Sequence, residues 1–145
     1  MYAQLNTKTV FSFMDATVKL TDYITAAKTL GYQTLGISDV DNLHAAHQFI
    51  TQAKAAGIQP VIGYETTLLL DGLAINFTFI AKTNAGLQNL YSISSKKNFG
   101  YNNFSDIHSH LGDVALILPA DSAVDSILTH LPSNDVFVGL AQPMA

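Results

Sequence analysis

The chain has 145 residues, enough for one domain or part of a larger one, and its 48% hydrophobic and 12% charged residues give ample core material and little surface charge. That balance excludes disorder, and a formal net charge of −4 with only seven Lys plus Arg leaves no broad basic patch to capture a phosphate backbone. Cysteine is absent, which removes disulfides, thiolate metal sites and Cys nucleophiles.

Residues 3–7 read as a short strand. Gln4, Asn6 and Lys8 fall on alternate positions and so line one face: two amides and an ammonium in a row. Such a row can grip a ligand, form a solvated strand face, or occupy the seats of groups that once did chemistry. "VFSFMDATVKL" follows as a loop, and Thr21 caps a helix with Ile24, Ala27, Lys28 (by its stem) and Leu30 at helical spacing and Gly31 as the stop. "TLGIS" (34–38) is a short apolar strand. Asp41 or Asn42 caps the next helix, which runs to Gly57 with an apolar stripe of Leu43, Ala46, Phe49, Ile50 and Ala53.

"PVIGYETTLLL" (60–70) is a strand, and Asp71-Gly72 signals a hairpin into "LAINFTFIAK". Asn84 caps a third long helix, "AGLQNLYSISS". "KKNFGYNN" reads as a loop that leaves Lys96 and Lys97, the one local basic cluster, in solvent. Ser105 caps a short turn, "VALIL" (114–118) is a strand, "SAVDSILTHL" is a helix ended by Pro132, and "VFVGLA" (136–141) is a last strand. Strands alternating with helices argue for an α/β fold with a mostly parallel sheet and one hairpin. No glycine-rich phosphate loop, G-x-S-x-G or H-E-x-x-H is present. Chemistry in α/β folds gathers beyond the C-terminal ends of strands, which singles out Asn6, Lys8, Asp39, Asp41, Glu65 and the residues near 119.

Those strand ends carry a resemblance. "SFMDA" (12–16) is similar to S-L-L-D-G, and "AAKTLGYQTLGISDVDNLHAAHQFITQAKAAGIQPVIGYE", "FTFIAKTNAGLQNLYSISS" and "HLGDVALILP" track the PHP (polymerase and histidinol phosphatase) domain of bacterial DNA polymerase III alpha subunits. The resemblance covers most of residues 2–119. It implies a partial PHP-type distorted TIM-like barrel of βα repeats, with residues 1–145 as the N-terminal part of a PHP domain and a fragment of a much longer polymerase chain. It also implies an answer to the row of amides. Active members carry metal-binding histidines on the first strand, where this chain has Gln4, Asn6 and Lys8. The family's T-D-H-G-N is "SDVDN" here, keeping Asp39 and Asn42 but placing Val40 in the histidine's seat, and another family histidine is Asn76.

Asp15, Asp39 and Glu65 are what remains of the implied ligands, and the resemblance makes them vestigial. No catalytic residue, no cofactor and no tightly held metal is expected, with weak Mg²⁺ or Mn²⁺ the most that three carboxylates would hold. By resemblance the parent chain is a DNA-directed DNA polymerase, and this segment, inactive by itself, has a structural or interaction role in DNA replication. The alternative is a residual metal-dependent phosphoesterase or proofreading exonuclease using those three carboxylates. The expected partners are the remainder of the polymerase chain and replisome subunits, with DNA reached only through the full-length polymerase. Self-association is expected through strand edges near Leu5, Val136 and Val138 and an apolar face carrying Phe137 and Leu140. No leader segment and no apolar run of ~20 residues is present, so a soluble, cytoplasmic location is expected and a membrane is not.

Other motifs take plainer readings. Asp41, His44 and His47 form D-x-x-H-x-x-H, a chelating geometry on one helix that more often is a solvated face. "HSH" (108–110) precedes a strand and reads as structural, and His130 suits a helix C-terminus. "NFGYNNF" (98–104) interleaves aromatics and amides as single-strand nucleic-acid platforms do, but a packed loop is the preferred reading.

Overall fold

Parallel neighbours need a crossover, and the first unit of the chain supplies one. The computed structural model describes residues 20–119 and 136–139, with only the backbone for Pro119 and for 136–139. Two compact units divide at Glu65/Thr66. In the first, α1 (Leu20–Thr29) leads to β1 (Thr34–Val40), α2 (Ala46–Ala55) crosses over, and the first part of β2 (Gln59–Leu70) returns parallel to β1. The helices bury Leu20, Ile24 and Ala27 from α1 and Ala46, Phe49 and Ala53 from α2, much as the helical spacing anticipates. Tyr23 ties the layers together: its ring stacks on Phe49 at 6.2 Å, and its hydroxyl donates to the Gly36 carbonyl at 2.7 Å.

Three expectations for this unit need correction. Thr21 lies within α1 and does not cap it, and Lys28 and Leu30 face solvent, Leu30 at 75% exposure. The second helix begins at Ala46, not directly after residue 42. Asn42 instead organises a turn, its Nδ2 donating to the Val40 carbonyl (2.9 Å) while its Oδ1 accepts from the His44 amide (3.2 Å). A short amide side chain that satisfies nearby backbone in this way competes with the helix and delays it.

In the second unit, β2 continues through residues 66–70 to a two-residue turn. Asp71 and Gly72 both have positive φ, 51° and 80°, the type I′ geometry whose twist matches a hairpin. β3 (Leu73–Ala81) follows, then α3 (Asn84–Asn98), α4 (Phe104–Ile107) and a 3₁₀ turn (His108–His110). β4 (Val114–Pro119) pairs antiparallel with β3, from Thr78↔Ile117 to Ala81↔Val114, and β5 (Val136–Gly139) pairs parallel with β4. The α/β class and the hairpin are as expected, but the sheet is mixed and not mostly parallel: β1–β2 and β4–β5 run parallel, while β3 and β4, joined through α3, pair antiparallel in addition to the hairpin. Phe77 is the hub of the core, 5.8 Å from Phe79 and 5.1 Å from Phe104, with Leu90, Ile93, Ile107, Leu116 and Leu118 also buried.

Two caps sit one or two residues from their expected places. Thr83, not Asn84, caps α3: its extended backbone lets Oγ1 accept from the Gly86 amide at 3.2 Å. Asn103, not Ser105, caps α4 in a reciprocal capping box with Asp106. Lys96 and Lys97 belong to the last turn of α3 and not to a loop. The expected strand at 3–7, the segment after it up to residue 19, the helix at 122–131 with His130, and Leu140 lie outside the described residues.

Candidate functional site

The C-terminal end of β1 and the matching level of β2 form the place the sequence singles out. Their register sets Asp39 beside Tyr64 and Val40 beside Glu65. Residues side by side in parallel strands share a face, and the next residues along take the other face. Leu35, Ile37 and Asp39 therefore lie on one face with Ile62 and Tyr64. Gly36, Ser38 and Val40 lie on the opposite face with Gly63 and Glu65. Both faces are buried along most of the strand, Gly36, Ser38 and Gly63 included; only at the C-terminal end do they differ, Asp39 at 2% and Tyr64 at 0% exposure against half-buried Val40 and Glu65.

The structure thus sets two of the three candidate carboxylates, Asp39 and Glu65, on opposite faces. Glu65 keeps company with Val40, whose branched alkyl group donates nothing to a metal. Asp39 stands on the other face with Tyr64, and Asp15, with Gln4, Asn6 and Lys8, lies outside the described residues. Among the described residues no group of three or more His, Cys, Asp or Glu could hold a metal ion. The period of two already carries this signal, since Leu35, Ile37 and Asp39 alternate and the first two are apolar.

One residue near the site was missed as a backbone device. The Asp41 amide donates to the Glu65 carbonyl at 2.8 Å, which extends the pairing past the end of β1, and its φ is +56°. Asp41 stands where T-D-H-G-N has its glycine, and that match was the available clue. Aspartate is among the few side chains that tolerate the left-handed region.

The remaining candidates separate. His44 lies in the turn before α2 and His47 on α2, both exposed, so D-x-x-H-x-x-H does not lie along one helix as expected. His108 packs its ring edge-on to Phe104 at 5.9 Å, in keeping with a structural "HSH" before β4. Asn76 is exposed on β3 between buried Ile75 and Phe77. Of the aromatics in 98–104 only Phe104 is buried; Phe99 is 81% exposed and Tyr101 50%, which corrects the packed-loop reading. Among the described residues no helix is long and apolar enough to cross a membrane.

Comparison with known proteins supplies the context for this geometry. The family model for the PHP domain matches residues 4–138. Over 142 residues the chain is 37% identical to the DNA polymerase III subunit alpha of Streptococcus pyogenes serotype M3, covering 98% of this chain and 13% of that protein. Among solved structures, a protein assigned as a metal-dependent phosphoesterase from Bifidobacterium adolescentis superposes with a TM-score of 0.52 at 18% identity, over 65% of this chain and 32% of that one. An amidohydrolase from Chromobacterium violaceum superposes with a TM-score of 0.56 at 11% identity, over 88% of this chain and 72% of that one. At such identities these two likenesses speak for the α/β fold alone.

Proposed function

The chain belongs to the PHP domain family, and on that premise we propose that it is a non-catalytic structural or interaction module of a bacterial replicative DNA polymerase III alpha chain. One observation supports the reading: the register sets Val40 beside Glu65, and by the resemblance Val40 stands where metal-binding members have a histidine. A divalent metal, when bound in such a fold, supplies an activated water for phosphoester hydrolysis. The donors here do not fit it. Neutral imidazole is a good donor to transition metals, valine is none, and a few carboxylates hold a hydrated Mg²⁺ only loosely.

The phosphoesterase or exonuclease reading draws on Asp15, Asp39 and Glu65, and the opposite faces of Asp39 and Glu65 count against it. Retention of the domain then rests on what it supports: the remainder of a polymerase chain, replisome subunits and, through them, DNA in the cytoplasm. The finer reading of this α/β chain as part of a PHP-type distorted TIM-like barrel rests on its family. Elemental analysis of the 145-residue chain, purified without chelator, tests the reading. Zinc and manganese should stay far below one equivalent per chain. Stoichiometric metal that is lost in Glu65→Gln overturns it.

A further inference from the structure

The turn that closes α3 holds two exposed rings and two cations in a fixed arrangement. The Gly100 amide donates to the Lys97 carbonyl (3.0 Å) and the Tyr101 amide to the Lys96 carbonyl (3.1 Å), with Gly100 at φ +92°. This is the paired 5→2 and 6→1 closure of a Schellman motif, which needs a left-handed residue and fixes the chain on either side of it. Phe99 and Tyr101 flank that glycine, both largely in solvent. Large apolar side chains so exposed, side by side in sequence, are not needed for the core, which Phe104 serves from the same segment.

Both lysines are oriented by backbone oxygens. Lys96 Nζ donates to the Asp106 carbonyl (3.0 Å) and lies 5.9 Å from the Tyr101 ring centroid, while Lys97 Nζ donates to the Thr67 carbonyl (2.7 Å). Each ammonium spends one of three donors this way, on a neutral carbonyl oxygen. The nearby Asp106 carboxylate is directed to the Asn103 amide. The helix end contributes roughly half a negative charge and the Asp106 carboxylate a further one, and the two ammonium groups still outweigh them by a small margin. The result is a local positive, π-rich surface on a chain of net charge −4.

We propose that this turn binds a short stretch of single-stranded nucleic acid, bases stacking on Phe99 and Tyr101 and phosphates meeting Lys96 and Lys97. Flat π-faces joined by anions complement exposed rings joined by cations, and stacking is indifferent to sequence. A duplex hides its base faces and lacks this complementarity. With two cations the affinity is modest and the footprint is a few nucleotides.

Fluorescence anisotropy of a labelled oligothymidylate of about 12 nucleotides, titrated with the 145-residue chain, decides the matter. Binding should exceed that of a matched duplex. The double variant Phe99→Leu/Tyr101→Leu keeps apolar area, removes the π-faces, and should weaken binding roughly 5- to 100-fold with an unchanged urea midpoint. Lys96→Gln/Lys97→Gln should flatten the dependence of log affinity on log salt by about 0.7 per lysine, and Lys96→Arg/Lys97→Arg should restore it. No binding, equal binding to duplex, or a folded leucine variant that binds like the parent overturns the proposal. So does equal competition by polyglutamate, which would make the surface a dock for acidic protein.

Discussion

At the scale of single residues, the information lies in which face and which φ a position demands. Asp41 is held at φ +56° by a ladder bond to Glu65, and it is exposed, so its backbone conformation dominates its effect on stability. A β-branched side chain there meets the carbonyl clash of the left-handed region, at about 1–2 kcal/mol. Asp41→Val should therefore lower the unfolding free energy by about that much, while Asp41→Gly should leave it within about 1 kcal/mol of the parent. Urea denaturation of both variants checks the pair; equal loss in both would show that the aspartate side chain and not its φ matters. The proposed seat at Val40 comes from the pattern it falls in, and the structure adds its place beside Glu65. The facing of Asp39 was legible only through its alternation with Leu35 and Ile37. Its spacing from Glu65 says nothing of the side on which each stands until the register is known.

At the scale of elements, helices and strands were largely readable because period and stop signals agree along the chain, whereas caps were misplaced. The reason shows at α3. Thr83 and Asn84 are both good caps by type, and tertiary structure chooses Thr83 by giving its hydroxyl a second partner: it accepts from the Gly86 amide and donates to Asp113 Oδ2 at 3.0 Å. The loop before β4 is clamped on the helix start, with the Lys82 amide on the Asp113 carbonyl (2.9 Å) and Asn89 Nδ2 on the Gly112 carbonyl (2.7 Å). Gly86 makes the clamp possible, since a Cβ there would overlap the Asp113 carbonyl oxygen. Gly86→Ala should destabilise by about 1–3 kcal/mol by forcing the loop off the helix, although alanine is the better helix former. Thr83→Ala should cost about 1 kcal/mol as a lost cap. Because both act on one clamp, the double variant should lose less than the sum of the two. Urea midpoints of the three proteins measure this, and strict additivity would mean that loop and cap are independent.

At the scale of the whole molecule, metal-assisted hydrolysis is a cooperative property of several ligands, so on the proposed reading, with several imidazoles replaced, the activated water goes with them. The reading of Gln4, Asn6 and Lys8 as replaced ligand seats comes from the resemblance and not from spacing, and these residues lie outside the described ones. The side-by-side placement of Val40 and Glu65 adds a spatial argument from another part of the fold. A carboxylate beside an alkyl group cannot lower the pKa of water, and an ammonium at Lys8 would repel the metal that could. The chain should therefore release no nucleotide from single-stranded DNA in Mg²⁺ or Mn²⁺, even if it binds the strand. Metal-dependent release abolished by Glu65→Gln would refute a non-catalytic domain. The reverse experiment probes the assignment of seats. Asn6→His, Lys8→His and Val40→His introduced together restore three imidazoles and remove the repelling charge, so zinc affinity measured by competition with a chromophoric chelator should rise well above that of the parent. Val40→His alone should give much less, because an imidazole and one carboxylate make an incomplete site. If the triple variant, folded by its urea midpoint, binds zinc no better than the parent, then Asn6, Lys8 and Val40 do not converge on Glu65 and the ligand seats lie elsewhere.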